Sequence, residues 1–228
     1  MNTALSISKF AGLGAFFLLI ASSCSRESAT TASPVESKPT RSQQLPVPDE
    51  TVVPKNAGVA TFAAGCFWCV EEVFHQVPGV TAAISGYMGG TADDANYEDV
   101  SAGRTDHAEA VQVTFDQDKI TFEALVRAFY ELHDPTQVDG QGPDHGRQYR
   151  SAIFYHDDIQ NVTARKLQQQ LEASGRHGKP IATEIVPAKD FFPAEDYHQN
   201  YARLNPGNPY IQAHLVPKLK KLNLIVPK

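Results

Sequence analysis

Apolar and polar positions alternate with a period of two over Glu109–Phe115. Val111, Val113 and Phe115 fall on one face and Ala110, Gln112 and Thr114 on the other, which predicts a strand with one buried side. Val59–Ala64 predicts a short buried strand running into Gly65. Thr81–Tyr87, Ser151–Tyr155 and Ile181–Val186 predict three more. Helical spacing replaces alternation over Cys66–Gln76, where Phe67, Val70, Val73 and Phe74 share a side and Pro78-Gly79 ends the run. Thr121 reads as the cap of a helix carrying Phe122, Leu125, Phe129 and Leu132, and Asp158 as the cap of one closed by Gly175. Pro193–Leu204 predicts a shorter helix. Strands and helices in this order, with at least two β-α-β steps, predict an α+β fold (α/β sandwich): a mixed sheet with flanking helices and long functional loops.

Two stretches break the pattern. Asp134–Arg150 has no apolar period but holds three glycines and several site-forming side chains. Such a loop inside a compact domain is functional more often than a disordered insertion. Phe10–Ala21 is a 12-residue apolar or small run after Lys9, the length of a signal-peptide core and short for a bilayer span. It ends Ala21-Ser22-Ser23-Cys24, similar to a bacterial lipoprotein signal, with Ala21 where Leu is commonest. Residues Ser25–Ala57 follow with five Ser, four Thr, five Pro and no aromatic residue, too little apolar surface to offset the entropy of ordering. The reading is a signal peptide over 1–23, a tether over 24–57 starting at a lipidated Cys24, and a folded domain over 58–228. The protein is thereby expected to be exported and membrane-anchored, facing the periplasm or cell exterior, with a soluble periplasmic protein as the alternative.

Composition narrows the class. With 42% hydrophobic and 20% charged residues the chain supports a packed core. Twenty basic against 26 acidic side chains, a net charge of −6, argue against nucleic acid as a partner. Three cysteines are too few for a disulfide-stapled scaffold. Nothing in the pattern demands more than a monomer.

The chemistry concentrates in Gly65-Cys66-Phe67-Trp68-Cys69. Cys66 sits where a strand gives way to a helix, and the free N–H groups of a first turn favour a thiolate. A zinc pair, a thioredoxin-like exchanger and inert buried thiols are the competing readings; no second cysteine pair or close histidine pair completes a zinc site. Glu109 shares parity with Val111, Val113 and Phe115, so its carboxyl points to the apolar side and desolvation keeps it protonated, unless it frays into water. His107, His133, His145 and His198 form no ligand pattern and read as structural.

Gly65-Cys66-Phe67-Trp68 with Glu71 resembles the signature of the peptide methionine sulfoxide reductase A family. The similarity runs on through Gly86-Tyr87, Asn96–Val100, His107–Val111, His133–Gln137, Asp144–Ser151 and Glu195–Gln199. The resemblance implies reduction of the S epimer of methionine sulfoxide, free or in proteins. It implies Cys66 as nucleophile, Glu109 as acid, Tyr97 and Tyr149 as donors to the sulfoxide oxygen, and Asp144 as a substrate-binding carboxylate. Phe67 and Trp68 match the pocket for the methyl group. No cofactor or metal is implied, only an external thioredoxin-like or dithiol reductant.

The acid is needed on physical grounds. A drop in thiol pKa from ~8.5 to ~6 would raise the thiolate fraction roughly 30-fold and lower its nucleophilicity roughly tenfold. A few-fold gain cannot expel oxide unaided. Many family members have Gly after the Cys-Phe-Trp triplet and recycling cysteines near the C-terminus. Here the position is Cys69 and no cysteine follows it, so the expected resolving step is a Cys66–Cys69 disulfide; a one-cysteine cycle is its alternative. A general thiol-disulfide oxidoreductase and a lipoprotein binding module remain the other function classes.

Overall fold

The computed structural model describes residues 54–227; the expected signal peptide, Cys24 and most of the expected tether lie outside the described residues. The strands are β1 (Ala57–Ala64), β2 (Val80–Met88), β3 (Ala108–Asp116), β4 (Gly140–Gln141), β5 (Asp144–His145), β6 (Ser151–Tyr155), β7 (Glu184–Pro187) and β8 (Phe191–Pro193). The helices are α1 (Phe67–His75), α2 (Tyr97–Ser101), α3 (Phe122–Leu132), α4 (Asp158–Ala173), α5 (Tyr201–Leu204) and α6 (Val216–Lys221). Six strands form one sheet in the order β7-β6-β1-β3-β2-β8, and β4-β5 pair separately. β1 and β2 are each antiparallel to β3, which lies between them, so β1-α1-β2 is a split β-α-β unit. β6-α4-β7 supplies a parallel β-α-β step at one edge. The mixed sheet with flanking helices is the α+β architecture expected.

The alternation in β3 has its cause in this layering. Val111, Val113 and Phe115 enter the main core with Phe62, Val70, Phe74, Leu125, Phe129 and Ile153. Phe62 stacks on Phe74 at 5.0 Å and on Phe129 at 5.2 Å between ring centroids, tying α1 and α3 to the sheet. The opposite face packs small side chains, Ala63, Ala110 and Ala152, beside Met88 and Phe154.

Several boundaries differ from the sequence reading. No helix spans Pro193–Leu204: Pro193 ends edge strand β8, Asp196–His198 form a 3-10 turn, and Asn200 at φ 56° precedes the short α5. Side chain–backbone bonds impose this path. Gln199 bridges to Ser85 N–H, Ser85 C=O and Ala194 C=O, which a continuous helix would break. The strand expected from Ile181 starts at Glu184, because Ala182 N–H is spent on Pro135 C=O at 2.7 Å. The cap of α4 is Asp157, whose carboxylate accepts Gln160 N–H at 2.7 Å, not Asp158. Asp134–Arg150 is ordered: it carries β4, β5 and a 3-10 turn at Arg147–Tyr149. Within it, Asp134 accepts from the Thr136 backbone and hydroxyl, and Gln137 from Gly142 N–H. β1 begins at Ala57, one residue before the expected domain start. No helix among the described residues is long and apolar enough to cross a membrane.

Candidate active site

β1 pairs with β3 only as far as Phe62 opposite Val111. Three residues later Gly65, at φ 83°, turns the chain away from the sheet, and Cys66 becomes the cap of α1. A side chain at Gly65 would lie 2.6 Å from Gln141 Cβ, so glycine serves both the turn and the close approach of the 134–150 loop. The departure of β1 opens the space in which Glu109 sits. Its carboxylate oxygen Oε2 accepts the first N–H of α1, from Phe67, at 3.0 Å. β3 is an interior strand and Glu109 is 2% exposed, so it does not fray into water.

Burial sets the protonation states. Desolvation pushes the Glu109 pKa up to about 8, with Asp144 and Cys69 adding to the rise and the Phe67 N–H opposing it. Cys66 departs from expectation. Its pKa is raised, first by burial and then by its hydrogen bond to Cys69 and the charges of Cys69 and Glu109, and the Trp68 N–H only partly opposes this. A helix start does favour the anion, but full desolvation of the sulfur outweighs one turn of N–H dipoles. Cys69 is lowered instead, chiefly by the hydrogen bond from Cys66.

Both thiols are free and line a cleft of about 120 Å³ together with Gln141, Asp144, Tyr210 and Lys218. Tyr97 and Tyr149 are half-buried, from α2 and the 3-10 turn before β6. Burial holds the Tyr97 hydroxyl protonated, pushed up to about 12, with Glu109 and Cys66 contributing. Tyr149 is likewise raised by burial and then by Glu109, Tyr97, Asp144 and Cys66. The six side chains Cys66, Cys69, Glu109, Asp144, Tyr97 and Tyr149 thus act on one another electrostatically. Phe67 is buried against Tyr87, while Trp68 stays partly exposed, stacked on Tyr201 at 3.9 Å. No group of three or more metal-ligating side chains occurs among the described residues. His133 spans Phe129 C=O and the Ser151 hydroxyl, a structural bridge as expected.

A family model described as peptide methionine sulfoxide reductase matches residues 58–226. The chain belongs to the peptide methionine sulfoxide reductase family. A peptide methionine sulfoxide reductase MsrA of Methanococcoides burtonii is 56% identical over 142 residues, covering 62% of this chain and 93% of the relative. MsrA 2 of Mesorhizobium japonicum is 46% identical over 180 residues, 78% of this chain and 92% of the relative. Among solved structures, Mxr1 of Saccharomyces cerevisiae in reduced form is similar at a TM-score of 0.66 and 34% identity. It covers 71% of this chain and 92% of its own. Methionine sulfoxide reductase A of Corynebacterium diphtheriae gives 0.59 at 35% identity, covering 67% and 76%.

The reductase contains site-forming residues that sequence reasoning did not assign. His198, read as structural, accepts the Trp68 indole N–H at Nδ1 (3.0 Å) and packs on Phe67 and Tyr97. Glu195 accepts both Tyr97 N–H at 2.9 Å and Tyr87 O–H at 2.8 Å, and so fixes the start of α2. Glu71 accepts Asn200 N–H at 3.0 Å and Glu72 pairs with Arg203 at 3.1 Å, which seats Tyr201 against Trp68. Tyr210 donates to Asp144. Glu71 and Glu195 lay within quoted motifs, yet only the fold shows what they hold. Tyr210 carried no sequence signal beyond being aromatic.

Proposed function

We propose that this reductase returns the S epimer of methionine sulfoxide, free or in proteins, to methionine, with Cys66 as nucleophile and Glu109 as acid. The observation that carries the reading is one contact. The carboxyl kept neutral to about 8 is bonded to the helix N–H adjoining Cys66, so acid and sulfur serve the same ligand. Phe67 and the clamped Trp68 form the apolar wall for the methyl group. Tyr97 and Tyr149 offer protonated hydroxyls to the oxygen as it gains negative charge. Cys66, as the thiolate, attacks the sulfoxide sulfur. Glu109 protonates the oxygen; the hydroxyl passes to the Cys66 sulfur as the sulfoxide S–O bond and the transient S–S bond break, so methionine leaves and Cys66 becomes a sulfenic acid. Asp144, steadied by Tyr210, organises the cleft for substrate.

Cys69 then attacks the Cys66 sulfur: the S–S bond forms, the S–O bond breaks, and hydroxide leaves with the Cys69 proton as water. A thioredoxin-like or dithiol donor returns two electrons. Without its wall and acid the site would be a general disulfide oxidoreductase, which would reduce insulin-like disulfides and ignore sulfoxides. Incubation with the separate epimers decides: methionine is expected from one epimer only and none from Cys66→Ser. Glu109→Gln is expected to slow single-turnover methionine release roughly 10²–10⁴-fold; near-normal release would remove the acid from the mechanism.

The N-terminal pattern supports export, with Cys24 lipidated and the polar stretch to Ala57 tethering a monomeric catalytic domain at the membrane surface. Cys24→Ser is expected to move the protein from the membrane to the soluble fraction. An unchanged distribution would leave the soluble periplasmic reading.

A further inference from the structure

The C-terminal helical segment enters the cleft in a way the mechanism above does not use. Residues Ile211–Leu215 form a wide π-type turn that runs directly into α6. Residues four apart share a helix face, and two such rows follow. Ile211, Leu215 and Leu219 are fully buried in the core, while Tyr210, His214 and Lys218 line the cleft with Cys66 and Cys69. Lys218 is half-buried and forms no ion pair among the described residues, whereas Lys221, one turn on, reaches Glu131. The carboxylate sharing the cleft, Asp144, is engaged by the Tyr210 hydroxyl. The ammonium lowers the pKa of Cys69, and no comparable cation acts on Cys66.

We propose that Lys218 is a positioning residue for the second half of the cycle, its ammonium holding the Cys69 sulfur as the anion that attacks the Cys66 sulfenic acid. The inference rests on the reading that Cys69 is the resolving thiol. The titratable groups around Cys69 are Cys66 at the cap of its own helix, Glu109 from β3, Asp144 from β5, and Tyr210, His214 and Lys218. Asp144 opposes an anion at Cys69, and the Lys218 ammonium acts against it. In the step itself Cys69 sulfur bonds to Cys66 sulfur, the S–O bond breaks, and the oxygen departs as water with the proton that left Cys69. No outside oxidant or reductant enters.

Removing the ammonium trades thiolate fraction for nucleophilicity. A roughly tenfold loss of thiolate, against a roughly threefold gain in reactivity of the more basic sulfur, leaves about a threefold slowing at low pH. It leaves about a threefold acceleration where the thiol is fully ionised. The experiment measures the lifetime of the Cys66 sulfenic acid in the full chain, by mass spectrometry of dione-trapped samples after one turnover, from pH 5.5 to 9.5. Lys218→Met is expected to shift the pH profile of sulfenate decay upward and to cross the wild-type profile; Lys218→Arg is expected to restore it. The ratio of sulfenate decay to methionine release falls at low pH. Superimposable profiles, or slowing by one factor at every pH, would overturn the proposal. Cys69→Ser separates the two readings. Persistent sulfenate in that variant with a Lys218→Met profile like wild type sinks only the lysine, whereas sulfenate lost at the wild-type rate in Cys69→Ser sinks both.

Discussion

At the scale of single residues, the decisive quantity is the desolvation of Glu109. A surface carboxyl is ionised at neutral pH and has no proton to give. This one, buried at the point where β1 leaves β3, holds its proton to about 8. Cys66 is raised as well, so the nucleophile ionises late and the acid ionises before it. The sulfoxide step is therefore expected to rise with pH through thiolate formation up to about 8. Beyond that, each further pH unit removes tenfold of the acid and cancels the gain. Single-turnover rates across the pH range are expected to break near 8 in the wild type. In Glu109→Gln they lack that break and rise monotonically from a lower base. A break that persists in the glutamine variant would assign it to another group. The parity of Glu109 with Val111 and Val113 was legible along the strand. The raised pKa of Cys66 was not, because burial is contributed by atoms from β3, the 134–150 loop and the C-terminal helix.

At the scale of elements, the site depends on how the 134–150 loop meets the strand-to-helix turn. Gln141 packs its stem on Gly65, and its amide is held at both ends by Asp134, accepting from N–H at 3.2 Å and donating to C=O at 2.8 Å. Gly65→Ala introduces a Cβ where φ is 83° and where Gln141 lies 2.6 Å away. It is expected to cost about 2–4 kcal/mol, from backbone strain of about 1–2 and the rest from the displaced contact. Urea unfolding checks this; the added change Gln141→Ala is expected to relieve the contact but not the φ strain, recovering part of the loss. The C-terminal side of the site shows why periodicity misleads. Pro193–Leu204 has helical-looking spacing, yet Glu195 and Gln199 spend their side chains on backbone groups of β2 and the start of α2. Those long-range bonds outweigh local propensity.

At the scale of the whole molecule, two buried carboxyls make stability depend on pH in a predictable sense. Burial raises both Glu71 and Glu109 to about 8. A carboxyl whose folded pKa lies above its unfolded value contributes fully below about 4.3 and loses that contribution as pH rises toward its folded pKa. At pH 7 each group costs on the order of 3 kcal/mol relative to acid conditions. Glu71→Gln is expected to be more stable than the wild type at pH 7 by up to about that amount and indistinguishable at pH 4. Urea titrations at the two values test it; an equal difference at both would mean that folding does not raise the Glu71 pKa. By itself the sequence determined the strand and helix periods, the place of Cys66 at a helix start and the inward parity of Glu109. These are local properties, set by residue spacing and backbone geometry. Only the tertiary structure decided that burial raises the Cys66 thiol, that His198 and Tyr201 clamp Trp68, and that Lys218 lines the cleft of the thiols. Desolvation, stacking and Coulomb interactions depend on distances in space, and those distances exist only once segments far apart in the chain are packed together.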